Sequence, residues 1–126
     1  MYPNIKILVV EDDLPMRKLI VRHLTKFGFT QISEVEDGKK AVDQIKKSKV
    51  DLIISDWNMP NFTGLDLLKS VRKDADKKDI PFIMVTSNLQ KEEIIEAAKA
   101  GVNQYIIKPF DGPALEEKIK ASLGIS

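Results

Sequence analysis

Asp51-Leu52-Ile53-Ile54-Ser55-Asp56-Trp57-Asn58-Met59-Pro60 is the stretch on which the reading of this chain turns. A short apolar run ends in a carboxylate and then breaks at a proline. A buried parallel strand looks like this when it delivers a reactive side chain to a loop. Asp56 therefore reads as a nucleophile. A carboxylate that accepts a phosphoryl group needs a metal site, a cation and a hydroxyl around it, so the rest of the chain can be searched for them.

Upstream, residues 5–10 are rich in β-branched side chains and stop at Glu11-Asp12-Asp13, a first strand ending in acid. Met16, Leu19, Ile20, Leu24 and Phe27 then recur at helical spacing, with Pro15 near the start and Gly28 as the stop. Residues 31–36 alternate as a second strand. Asp37-Gly38 turns into a helix that carries Ala41, Val42 and Ile45 inward, leaving Lys39, Lys40, Lys46 and Lys47 as a solvated face.

Residues 50–55 form the third strand, residues 57–63 a loop, and Gly64 opens a helix with Leu65, Leu68 and Val71 on one side. Residues 73–79 are a charged connector and residues 80–86 a fourth strand. Ile94, Ile95 and Ala98 mark the next helix, which Gly101 ends. Residues 103–108 make a fifth strand that breaks at Lys108-Pro109. Gly112-Pro113 starts a last helix bearing Leu115, Ile119 and Leu123. Five βα units in strict alternation predict an α/β fold, a doubly wound parallel sheet covered on both faces. The site of such a fold lies outside the carboxyl ends of its strands, where strand order reverses.

Composition removes several function classes. At 126 residues, 43% of them hydrophobic, the chain is large enough to bury its own core as one domain, with no second module expected. Its 20 basic and 19 acidic side chains leave a net charge of +1 with the lysines dispersed, so no basic stripe points to nucleic acid. The absence of cysteine excludes disulfides, zinc-thiolate sites and thiol catalysis. A cytoplasmic location is predicted, because the first residues lack a signal-peptide pattern and no apolar run could span a bilayer.

The polar residues that remain fall at strand ends: Glu11 and Asp12 after the first, Asp56 after the third, Thr86 after the fourth, Lys108 after the fifth. Adjacent strands lie about 4.8 Å apart, so carboxylates ending neighbouring strands can share one cation. Hard oxygen donors without His or Cys select Mg²⁺. Phosphoryl transfer is mostly positioning plus neutralisation of the equatorial oxygens, which the metal, the Lys108 ammonium and the Thr86 hydroxyl would divide among them.

With these residues in place the chain resembles the receiver domains of the response-regulator family. The motifs are Val9-Val10-Glu11-Asp12, Asp56-Trp57-Asn58-Met59-Pro60 with Gly64, Val85-Thr86, and Tyr105 with Lys108-Pro109-Phe110, and coverage is essentially end to end. The resemblance implies a flavodoxin-like (βα)5 fold with strand order 2-1-3-4-5 and a single receiver domain over residues 1–126 without an output domain. It also implies that Asp56 takes a phosphoryl group from a histidine kinase, and that Asp12, Asp56 and the Asn58 main-chain carbonyl ligate Mg²⁺ while Glu11 acts through water. Thr86 and Tyr105 would be a switch pair, and Lys108-Pro109 a cis bond.

The expected partners are the kinase, a flagellar motor switch protein or another effector, and a phosphatase, each met by a monomer. Asn58 and Asn88 would flank the path of the water that hydrolyses the phosphoryl group. The partner face would comprise Lys91, Ile94, Ala98, Val102, Tyr105 and Lys118, an apolar patch ringed by lysine suited to an acidic amphipathic segment. Glu11 in place of the Asp found in chemotaxis members, together with Asp13, Pro15, Ser87 and Asn88, departs from the pattern of that branch.

Other readings compete. An acid pair after a strand often only answers a helix macrodipole, and a strand-end Thr or an edge-strand Tyr is usually structural. His23, the single histidine, sits beside Leu19 and Ile20 on an amphipathic helix and reads as a core-edge residue, not a phosphorelay histidine. A phosphatase forming an aspartyl phosphate needs a second acid as general acid/base two residues after the nucleophile, where this chain has Asn58. A flavin-type cofactor would meet the acidic, glycine-free turn Val10-Glu11-Asp12-Asp13. A phosphorelay or adaptor role is the alternative to motor control.

Overall fold

In the computed structural model, which describes residues 2–87 and 90–125, the chain alternates strictly between strand and helix. The elements are β1 (Tyr2–Val10), α1 (Leu14–Lys26), β2 (Phe29–Val35), α2 (Gly38–Lys47), β3 (Leu52–Asp56), α3 (Gly64–Lys73), β4 (Phe82–Thr86), α4 (Lys91–Ala100), β5 (Gln104–Ile107) and α5 (Gly112–Leu123). All strand pairs are parallel, in the order β2-β1-β3-β4-β5. The chain leaves β1 for one edge and returns to its other side as β3, so strand order reverses between β1 and β3.

Both faces of the sheet are covered, which explains why the inner strands are apolar without alternation. On β3 and β4, Ile53, Phe82 and Met84 pack toward α2, α3 and α4, while Leu52, Ile54, Ile83 and Val85 pack toward α1 and α5. The five residues of each of these strands are buried, polar Ser55, Asp56 and Thr86 included.

Helix starts follow the side chains that accept orphan N–H groups. Asp13, Asp37 and Asp111 accept from Met16, Lys40 and Ala114, and Thr63 with Asp66 forms a reciprocal capping box on α3. Gln90 before α4 makes no side-chain cap.

Element bounds shift from expectation where pairing reaches past the sequence signals. β1 begins at Tyr2, not at residue 5, because Tyr2 pairs with Phe29 across a register irregularity and their rings stack with centroids 4.6 Å apart. β5 is shorter than residues 103–108, because Asn103 uses its side-chain oxygen to accept from Phe82 N–H and the Arg72 guanidinium. In α4 the buried side chain is Ala97, with Ile95 and Ala98 turned to solvent. Lys108-Pro109 is cis, as the resemblance implied.

Candidate functional site

Backbone bonds at the carboxyl edge of the sheet fix the strand ends on which the site stands. Glu11 N–H donates to the Val35 carbonyl at 3.1 Å, Trp57 N–H to Val85 at 2.8 Å, and Lys108 N–H to Thr86 at 2.8 Å. Val10 pairs with Ser55, so Glu11 and Asp56 emerge at one level. Val85 pairs with both Asp56 and Ile106, which sets Lys108 two residues further along, from where its side chain reaches back to both carboxylates.

There Glu11, Asp12 and Asp56 converge, each offering one carboxylate oxygen, with these atoms all within 4.8 Å of one another. Glu11 and Asp56 are buried and Asp12 is exposed, which leaves one side of the cluster open to solvent. Lys108 spans the buried pair, its ammonium 3.0 Å from Glu11 Oε1 and 3.1 Å from Asp56 Oδ1.

Charge crowding in a dry site shifts these groups. Burial lifts the Glu11 carboxyl to about 7, the Asp56 carboxylate adds to the rise, and Lys108 opposes it. Asp56 is raised by the same burial, against the hydrogen bond and charge of Lys108. Burial alone would lower Lys108, but its hydrogen bonds to Glu11 and Asp56 outweigh it and the ammonium is held more firmly. The donor set of three carboxylates, without His or Cys, suits a hard divalent cation such as Mg²⁺.

The remaining expected residues are placed as follows. Thr86 is buried at the end of β4, and Tyr105 is 39% exposed on β5. Together with Trp57, Met84 and Ile94 they line one narrow slot. Asn58 is exposed on the loop after β3, and Asn88 lies outside the described residues. Glu11 is buried, its carboxylate accepting from the Lys108 ammonium and the Asp13 N–H.

The expected partner face is only partly superficial. Lys91, Ala98 and Tyr105 are exposed and Lys118 is half-buried, whereas Val102 and Ile94 are partly given over to packing. Ile95 and Ile107 are more exposed apolar residues on the same elements, and neither was expected on that face. His23 is half-buried between Phe27 and Phe110, stacked on the former, in line with a core-edge residue.

Sequence reasoning missed Arg17, which donates to the Glu11 carbonyl at 2.8 Å, because nothing local marks a helix arginine as the partner of a strand end. It also missed Gly64 as a spatial requirement of the site. An added Cβ there would stand 2.3 Å from the Asp56 carbonyl oxygen.

Comparison with known proteins agrees with this geometry. The response regulator receiver domain family matches residues 7–120, and this chain belongs to that family. It is 45% identical to the chemotaxis protein CheY-3 of Vibrio cholerae over 116 residues, 92% of this chain and 89% of the relative. It is also 45% identical to the chemotaxis protein CheY of Pseudomonas aeruginosa over 115 residues, 91% and 93% of the two chains.

Among solved structures, chemotaxis protein CheY4 of Vibrio cholerae superposes with a TM-score of 0.89 at 30% identity, covering 94% of this chain and 98% of that one. A putative response regulator from Chloroflexus aurantiacus gives 0.90 at 30% identity, covering 97% and 98%. The chain is thus a response-regulator receiver domain similar to CheY proteins. No helix among the described residues is long and apolar enough to cross a membrane.

Proposed function

We propose that this protein is a phosphorylation switch in which Asp56 accepts a phosphoryl group from a histidine kinase and thereby changes what the α4-β5-α5 face binds. The observation that carries this reading is the buried Asp56 carboxylate, held 3.1 Å from Lys108 and within reach of two further carboxylates at the strand-order reversal.

In the transfer, an Asp56 oxygen attacks phosphorus, the P–N bond to the kinase imidazole breaks, and its electron pair stays on that nitrogen. The product is an acyl phosphate on Asp56. Glu11, Asp12, Asp56 and the Asn58 carbonyl would hold Mg²⁺, which when bound supplies neutralisation of phosphoryl charge. The hydrogen bond and charge of Lys108 oppose the rise that burial imposes on the Asp56 carboxyl, and its ammonium is placed to meet an incoming phosphoryl oxygen. Thr86 and Tyr105, lining one slot, would transmit the change outward. Asn58 and Asn88 would orient the hydrolytic water, an amide being unable to take its proton. The protein is then a phosphoacceptor that acts on itself and turns over no separate substrate.

The two relatives at 45% identity are chemotaxis proteins, which favours flagellar motor control over a phosphorelay or adaptor role. The test is intact mass after incubation with acetyl phosphate and Mg²⁺. Wild type should gain one phosphoryl group and Asp56→Asn none. Undiminished labelling of that variant, or labelling without Mg²⁺, refutes the assignment.

A further inference from the structure

Arg17 lies in the first turn of α1, yet its side chain is only 15% exposed and its guanidinium spans three elements. Nη1 donates to the Glu11 carbonyl at 2.8 Å, and Nε donates to Glu34 Oε1 on β2 at 3.2 Å. Glu34 pairs in register with Val9, and the Glu11 N–H donates to Val35, the next residue of the same strand. Both backbone groups of Glu11 are therefore tied to β2, the N–H directly and the carbonyl through Arg17. The Glu11-Asp12 peptide, which carries that carbonyl, is the one whose rotation would swing the exposed Asp12 carboxylate.

We infer that Arg17 is a positioning residue for divalent-cation binding: it locks the Glu11-Asp12 peptide so that the carboxylates of Glu11, Asp12 and Asp56 converge. This rests on those three residues being the cation site. A planar guanidinium suits the task because its fork presents Nε and Nη1 to two acceptors at once. Coulomb's law gives an opposing expectation that makes the inference decidable. A cation beside three carboxylates by charge alone weakens binding of another cation, so its removal would tighten Mg²⁺. Loss of positioning does the reverse.

The experiment is a Mg²⁺ titration followed by fluorescence of Trp57, which adjoins Asp56, for wild type, Arg17→Ala and Arg17→Lys. Amide hydrogen exchange of the metal-free proteins is measured alongside. Arg17→Ala should raise the Mg²⁺ Kd about tenfold, the lower end of what residues that orient metal ligands contribute. Arg17→Lys, which keeps the charge and one donor, should fall between the two. Exchange should quicken at the Glu11 and Asp13 amides while the β3 amides of Ile53 and Ile54 keep their protection.

A Kd in folded Arg17→Ala that is unchanged or lower overturns the inference. Should that variant not fold, a Kd in Arg17→Lys equal to wild type overturns it instead. Failure of wild type itself to bind Mg²⁺ saturably overturns the cation-site reading beneath it, and is told apart by which protein fails.

Discussion

Gly64 presses so closely on the Asp56 carbonyl that a Cβ at position 64 would stand 2.3 Å from that oxygen, and 2.8 Å from Met84 Sδ. The nearest obstacle is backbone, and the Gly64 N–H is committed to the Trp57 carbonyl at 2.9 Å, so the turn has no way to step aside. Gly64→Ala is expected to destabilise the protein by about 2–3 kcal/mol, the upper part of the range for forced overpacking. Gly124→Ala, where nothing lies within 4 Å and only a φ of +66° opposes a side chain, should cost about 1 kcal/mol. Urea denaturation of the two variants checks the order, and equal losses would count against it.

Stability without metal should fall as pH rises. Glu11 is lifted from 4.5 to about 7 in the folded protein, so between those values the folded state holds a proton that the unfolded state has released. The stabilisation is complete below about 4.5 and gone above about 7, a contribution on the order of 2–3 kcal/mol. Glu11→Gln should flatten that part of the profile in denaturation series at pH 5 and pH 8. Mg²⁺ affinity should climb through the same window, because the carboxyl must lose its proton to serve as a ligand.

Removing Asp12 relieves like charge near Asp56, whose pKa it helps to raise after burial has done so. Asp12 is exposed, so the relief is modest, roughly 1 kcal/mol at most. Asp12→Ala is expected to melt a few degrees higher than wild type in EDTA, and to lose the stabilisation that Mg²⁺ confers on wild type by mass action. Calorimetry with and without metal measures both. A variant clearly less stable than wild type in EDTA would contradict shared crowding.

Tyr105 and Thr86 line one slot of about 10 Å³, too small for the ring until Thr86 moves, and Tyr105 is still 39% exposed, so the ring has a surface to leave. Beryllofluoride, which mimics the phosphoryl group, should tighten binding of an acidic amphipathic partner segment by about 1–3 kcal/mol. Tyr105→Ala should weaken that coupling while Asp56 labelling by acetyl phosphate stays intact. Wild-type affinity that is the same with and without beryllofluoride would remove the switch from the account.

Five apolar runs, each ended by a polar residue and followed by a helical repeat, were enough to read the alternating βα order and to single out Asp56, Glu11, Asp12, Thr86 and Lys108. Those signals are legible because strand and helix periodicity, proline breaks and glycine stops act between near neighbours in the chain. Contacts between distant segments were decided only in three dimensions. Lys108 bridges Glu11 and Asp56, Arg17 holds the Glu11 carbonyl, Asn103 trims β5, and Tyr2 extends β1 through Phe29. Each depends on which strands are neighbours and on their register, and a slip of one residue would send every side chain of a strand to the opposite face. The Glu11 proton was illegible for the same reason, because its pKa is set mainly by the burial that the assembled sheet and helices impose.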